Sequence, residues 1–141
     1  MGSFRGVFDG GNHKITGMRL TGTNNSKGFM TLLDGEGIVK NLGIESGYVN
    51  YSGQRQSAVL IRKMTGGKVI NCWNGVDLLR GQGEVAGLIG YINGNGDNLI
   101  EGCYNLGNIT GNAQYDCGVG GILGTVWTMD PGGEANYPQL L

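Results

Sequence analysis

Few residues in this chain of 141 could do chemistry, and their spacing limits what that chemistry can be. The single histidine, His13, closes the stretch Asp9-Gly10-Gly11-Asn12-His13, and no G-x-S-x-G sequence occurs. Nucleophilic catalysis needs a nucleophile, a base and an orienting group within hydrogen-bond reach. His13 is therefore expected to bond turn backbone. Glycoside hydrolysis needs two carboxyls flanking one bond at a set separation. The acidic residues are instead scattered, mostly in turn-like stretches (Asp9, Asp34, Glu36, Asp97, Asp116), with Glu45 and Glu101 in or beside apolar runs in different columns. Arg62, Lys63 and Lys68 form the most basic stretch. A lyase would need an acidic calcium cluster opposite such a base, and none is visible, so these read as an exposed face.

Metal and cofactor signals are equally thin. Asn93-Gly94-Asn95-Gly96-Asp97-Asn98 has the composition of a calcium-binding β-roll turn, but that device works by stacking several copies. Cys72, Cys103 and Cys117 form no C-x-x-C pair, and the histidine lies far away, so no zinc site is expected. No G-x-x-x-x-G-K-[ST] occurs, and Gly118-Val119-Gly120 meets Leu123 where a dinucleotide fingerprint needs Gly. No metal and no cofactor are expected.

Composition narrows the class. Thirty residues are Gly, 39% are hydrophobic and only 15% charged, with ten basic against eleven acidic residues. That balance gives no electrostatic footprint for nucleic acid. The apolar runs, such as Ala58-Val59-Leu60-Ile61, are too short to span a bilayer. No basic n-region with an apolar h-region opens the chain, and three Cys are too few for a disulfide framework.

The elements that carry these residues repeat. Ala86-Gly87-Leu88-Ile89-Gly90-Tyr91-Ile92, followed by Ile100-Glu101-Gly102-Cys103-Tyr104-Asn105, has earlier copies at Ala58-Val59-Leu60-Ile61 with Val69-Ile70-Asn71-Cys72-Trp73-Asn74, and at Gly28-Phe29-Met30 with Val39-Lys40-Asn41-Leu42-Gly43-Ile44. One structural column holds Phe29, Leu60, Leu88 and Ile122, at spacings of 31, 28 and 34; a second holds Met18, Leu42, Cys72 and Cys103, at 24, 30 and 31. A period near 30 with drifting loops marks a solenoid. Helical periodicity is absent, and Gly at this density would cost a helix about 1 kcal/mol per site. Short Val/Ile/Leu/aromatic runs punctuated by Gly, Asn and Asp instead predict strands that pair with their counterparts in the next repeat. The predicted fold is all-β: a single right-handed parallel β-helix. It has about four coils of 24–31 residues, at 4–27, 28–55, 56–84 and 85–114, plus a partial fifth at 115–141. Met129 to Leu141 reads as the insertion loop of that fifth coil, and the chain as a piece of a longer array.

Three columns invite a specific reading. Cys72 and Cys103 could approach disulfide range, but Leu42 one coil earlier favours small buried thiols. Asn74 and Asn105 are expected to form a side-chain amide ladder that caps turn backbone. If the two Cys point inward, alternation puts Trp73 and Tyr104 outward, with Gly43 leaving a step beside them. Exposed aromatics can stack on sugar rings or protein side chains, so Trp73 and Tyr104, extended by Tyr48 and Tyr51, are the candidate ligand-binding residues. The other reading is that the two rings stack on one another or lie under a loop.

The blocks from Ala86 to Gly111 resemble the GLUG-motif repeats of bacterial surface proteins. Phe4-Arg5-Gly6-Val7-Phe8-Asp9-Gly10-Gly11-Asn12-His13-Lys14-Ile15 is similar to the F-x-G-x-F-D-G-N-G-H-x-I segment that precedes such repeats, with Gly-Asn where Asn-Gly is usual. The resemblance covers residues 3–124. In the copy at 56–81, Arg62 replaces the last Gly of the motif. It implies secreted or wall-attached bacterial proteins, including adhesin-like proteins and the non-catalytic regions of immunoglobulin A1 peptidases. It places no catalytic residue in the repeats, and it suggests that Gly2-Ser3-Phe4 continues from an upstream segment, with Met1 not the natural start. The expected function is a non-enzymatic, adhesive module of the bacterial cell surface, whose partners are a glycan or a host surface protein and further repeats of its own chain. The alternatives are a rigid spacer for a peptidase or other domain, and part of a carbohydrate-active β-helix enzyme.

Overall fold

Strands in this chain find their partners about one repeat away, because short apolar runs bounded by Gly and Asn cannot bury a face locally. The structure, a computed structural model, describes residues 3–22, 28–51, 56–93, 96–112, 118–127 and 139–140. Gly94, Asn95, Asp116, Cys117 and most of the expected insertion loop from Met129 lie outside them.

The first coil carries β1 (Val7–Ile15) and β2 (Met18–Gly22). The second carries β3 (Met30–Leu33), β4 (Ile38–Ile44) and β5 (Gly47–Tyr51). The third carries β6 (Ser57–Ala58), β7 (Ile61–Met64), β8 (Gly67–Ile70), β9 (Trp73–Asn74) and β10 (Leu78–Gln82). The fourth carries β11 (Val85–Ala86), β12 (Ile89–Asn93), β13 (Asn98–Glu101), β14 (Tyr104–Asn105) and β15 (Ile109–Asn112). Beyond them stand β16 (Val119–Gly120), β17 (Leu123–Trp127) and β18 (Gln139–Leu140).

All pairing is parallel, and it sorts the strands into four faces. A leading face stacks β3, β7, β12 and β17. A wide face holds β1, β4, β8 with β9, β13 with β14, and β18. A following face holds β2, β5, β10 and β15, and a narrow face β6, β11 and β16. The protein is an all-β parallel β-solenoid of about three turns, and no helix occurs among the described residues. The expectation is four coils and a partial fifth; among the described residues the wide face has five rungs, the leading and following faces four and the narrow face three.

The core is a set of columns. On the wide face Phe8, Val39, Val69 and Ile100 are in register, and the last three are fully buried. On the leading face Met30, Ile61, Ile89 and Leu123 are in register. One residue earlier, backbone bonds run from Met30 N–H to Leu60 O, Ile61 N–H to Leu88 O and Ile89 N–H to Ile122 O, so Phe29, Leu60, Leu88 and Ile122 form the predicted column. Each fully buried Leu or Ile is worth roughly 1.5–3 kcal/mol. Burial is concentrated between Met30 and Ile100, while β1 has no fully buried residue and Val7 is exposed.

Met18 does not belong to the second predicted column. It opens β2 and pairs with Gly47 on the following face, while His13 stands opposite Leu42. The pairing of β1 with β4 shifts between Asp9 and His13. The offset to β4 changes there from 31 to 29 residues, so the slot opposite Leu42 falls at His13 and not at Met18.

Candidate functional site

The wide face bends at a column of left-handed residues. Asn12, Asn41 and Asn71 have φ of 61°, 54° and 50°, and Gly102 has 63°. Asn tolerates this conformation better than other side chains, and Gly adopts it without penalty. The asparagines also bond along the axis: Asn71 Nδ2 donates to Asn41 Oδ1 at 3.4 Å, and Asn41 Nδ2 donates to Asp9 Oδ1 at 3.0 Å. The Gly11 N–H and then the Asn41 amide hold the Asp9 carboxyl below its ordinary value. The ladder ends at Gly102, where a Cβ would collide with Asn71 Oδ1.

Beyond the bend the chain turns Leu42, Cys72 and Cys103 inward. Cys72 is buried, Cys103 is half-buried, and both are free thiols. Cys72 N–H donates to Cys103 Sγ at 3.4 Å, and Cys72 Sγ lies 3.4 Å from Ile70 O. The hydrogen bond between the two thiols, with burial, pushes Cys72 up; the same bond pulls Cys103 down to about 7 against the effect of its burial. The column holds thiols, as its apolar Leu42 rung predicts.

The Asn74–Asn105 ladder is present and points into the core. Asn74 is fully buried; its Nδ2 donates to Val76 O and to Asn105 Oδ1, both at 2.8 Å, and its Oδ1 accepts Val76 N–H at 2.9 Å. Asn105 Nδ2 donates to Gly107 O at 2.8 Å. Ile44 occupies the rung below.

Outward, between these inward columns, stand Trp73 and Tyr104, paired in register. Their rings are parallel within 1°, with centroids 5.8 Å apart. Gly43, which pairs with Trp73, is the step: the indole leans over it, and a methyl group there would collide with Cε2, Cζ2 and Nε1. Below it Lys14 Nζ sits 5.9 Å from the Trp73 centroid and bonds Glu45 at 2.5 Å. That bond raises the Lys14 pKa. The column Lys14, Gly43, Trp73, Tyr104 is thus a continuous stack across four coils, and Tyr104 remains 48% exposed.

The other two aromatics part company. Alternation along β5 turns Val49 and Tyr51 inward and Tyr48 outward. Tyr51 is buried in the core, where desolvation raises its pKa, so it does not extend the outer patch. Tyr48 is exposed, with the Arg19 guanidinium 5.1 Å from its ring centroid and Asn50 Nδ2 donating to its hydroxyl at 3.1 Å. It lines a groove of about 280 Å³ at the corner between the wide and following faces, with Glu45, Ser46, Gly75, Asp77 and Leu79. The Trp73 ring edge rests against Gly75, so groove and aromatic column adjoin.

Charged residues mainly join coils. Arg5 pairs with Asp34 at 2.6 Å, Lys14 with Glu45, and Lys40 with Asp9 at 3.4 Å. Thr65 Oγ1 donates to Asp34, and this bond, with Arg5, lowers the Asp34 pKa. Arg62 is half-buried and donates to Gln56 Oε1 and Thr31 O. Among the described residues no group of three or more His, Cys, Asp or Glu could hold a metal ion.

Sequence reasoning missed Lys14, Arg19, Asp77 and the outer Asp9–Asn41–Asn71 ladder. The same spacing near 30 that exposed the core columns also places Lys14 before Gly43 and Arg19 before Tyr48. No family model, curated protein or solved structure matches the chain. The likeness to GLUG repeats therefore rests on the motifs quoted above.

Proposed function

We propose that this chain is a non-enzymatic β-solenoid module of a bacterial extracellular or cell-surface protein, of the GLUG-repeat kind, that presents its outer surface to a ligand. The observation that carries this reading is the Trp73–Tyr104 stack. Two aromatic rings are fixed by Gly43 and Lys14 on a rigid parallel sheet, half-exposed, and flanked by a polar groove. Rigid aromatics lose little entropy on binding and offer an apolar face with a polar tip. The non-enzymatic part is supported by the acids: Asp9, Asp34 and Glu45 are each engaged in inter-coil bonds.

A spacer is the second reading. It is favoured by the fact that both faces of the Trp73 ring are already covered, by Tyr104 on one side and by Gly43 with Lys14 on the other. The two separate on an array of glycans and mucin-type proteins probed with the purified chain and its Trp73→Ala/Tyr104→Ala variant, both checked by circular dichroism. Binding lost in a folded variant supports the adhesive module and its site. Equal binding by both removes the aromatic column from the reading, and no binding by either leaves the spacer.

A further inference from the structure

The groove at the wide–following corner has a composition that selects a ligand class. Its volume, about 280 Å³, lies at the lower edge of the roughly 300–1,000 Å³ typical of small-molecule sites, room for one or two ring units. Its apolar surface is Tyr48 and Leu79, 41% and 47% exposed. Leu79 faces out because Leu78 takes the fully buried slot opposite Val49. Arg19 comes to the Tyr48 ring from the first coil, and Asn50 bonds its hydroxyl, so the ring is a fixed platform.

The polar side of the groove is rich in acceptors. Asp77 Oδ1 accepts Asn108 N–H at 2.8 Å, and its second oxygen carries no hydrogen bond among the described residues. Glu45 stands beside it, and Ser46 Oγ accepts Gly17 N–H at 3.1 Å, leaving its own hydroxyl as a donor. No Lys, Arg or His lines the groove. The nearest cations are already engaged, Lys14 by Glu45 and Arg19 by the Tyr48 ring. Carboxylates beside an aromatic and aliphatic wall accept bonds from hydroxyl groups while the wall covers a C–H face. An anionic ligand would meet the Asp77 carboxylate, which has no ion-pair partner among the described residues, beside a Glu45 already balanced by Lys14.

We infer that the corner groove between Glu45, Tyr48, Asp77 and Leu79 is a binding site for a neutral, hydroxyl-rich saccharide. This inference rests on the ligand-presenting reading and names the chemistry it would use. A second hollow, about 430 Å³ between Glu36, Lys68 and Asp97, carries both charge signs and no aromatic wall, and so selects no class.

The test is a titration of the isotopically labelled chain, followed by amide shifts, with neutral gluco-, galacto- and mannotetraoses, tetragalacturonate and oligolysine. A neutral tetraose should move the amides of residues 45–48 and 75–79. Tyr48→Ala and Asp77→Asn should each weaken it about tenfold, as expected for loss of one good contact. Asp77→Asn retains an oxygen to accept Asn108 N–H, so it keeps the fold if Tyr48→Ala does not. Binding of tetragalacturonate or oligolysine in the groove overturns the assignment. So does a neutral sugar that shifts only Trp73 and Tyr104 and ignores both groove variants, although the ligand-presenting module then survives. A chain that binds array mucins but no tetraose likewise loses only the groove. Failure of every tetraose and every array ligand removes both readings.

Discussion

Two asparagine ladders run along this solenoid on the same wide face, one dry and one wet. Asn74 and Asn105 point inward, and the Asn74 amide satisfies the N–H and C=O of Val76 as well as its neighbour. Asn41 and Asn71 point outward from left-handed positions and bond along the axis to Asp9. The inner ladder exists because buried backbone at a corner must find partners. The outer one exists because the bend needs a residue that tolerates positive φ, and its hydrogen bonds compete with water. The same side chain is held in the two places by different physics, so its removal should have different consequences.

The largest effect is expected at the inner ladder. Asn74→Ala leaves both polar groups of Val76 and the Asn105 carbonyl oxygen without their partner. Each buried unsatisfied group costs about 1–3 kcal/mol, so the variant should lose at least about 3 kcal/mol in denaturant unfolding. The outer ladder should yield less. Asn71→Ala should cost about 1 kcal/mol, chiefly from forcing a Cβ-bearing residue without a local hydrogen bond into the left-handed region. Asn71→Gly should recover most of that loss, since Gly adopts this conformation freely. Equal losses at Asn74→Ala and Asn71→Ala would break the distinction. Failure of Gly to recover stability at 71 would show that the amide bond, not the backbone, matters there.

The smallest effect is a pH dependence that the outer ladder has and the inner one lacks. The Asp9 carboxyl is held below its ordinary value of 3.8, first by Gly11 N–H and then by Asn41. A folded-state pKa below the unfolded one gives stability that is present above pH 3.8 and lost as pH falls through the lowered value. The stability difference between the native chain and Asp9→Asn should therefore shrink on acidification over that window. The difference caused by Asn74→Ala should stay constant there, because that ladder contains no titrating group. A constant Asp9→Asn difference from neutral pH to below pH 3 would remove the carboxylate from the outer ladder's energetics.

Much of this architecture was legible in the sequence because apolar residues recur in register. Phe29, Leu60, Leu88 and Ile122 announce one column, and Leu42, Cys72 and Cys103 another; the Asn74–Asn105 pair follows from its offset to the cysteines. The first coil was less legible. The slot 29 residues before Leu42 holds the polar His13, so the apolar Met18, five residues on, seemed to fill it. Tyr51 was misjudged because aromatics near a patch draw attention, whereas the alternation of β5 had already assigned it to the core. The candidate groove was not legible, since Glu45, Tyr48, Asp77 and Leu79 come from two coils and two faces. Only the three-dimensional corner brings them together.

The in-register pairing also sets how the chain must fold. Every rung closes against a segment roughly a full repeat away, as β4 against β8 and β7 against β12. Among the described residues no strand pairs with its neighbour in the chain, so no hairpin shortens the search and the initial closure carries the full loop entropy. Once two neighbouring coils have met, each further coil needs only a template edge and adds like a zipper tooth. The deepest burial, between Met30 and Ile100, makes the third coil, with the facing strands of the second and fourth, the natural nucleus, with growth proceeding outward toward both ends. Refolding should accordingly be slow for a chain of this length. Truncation of the first coil should alter the unfolding rate more than the folding rate.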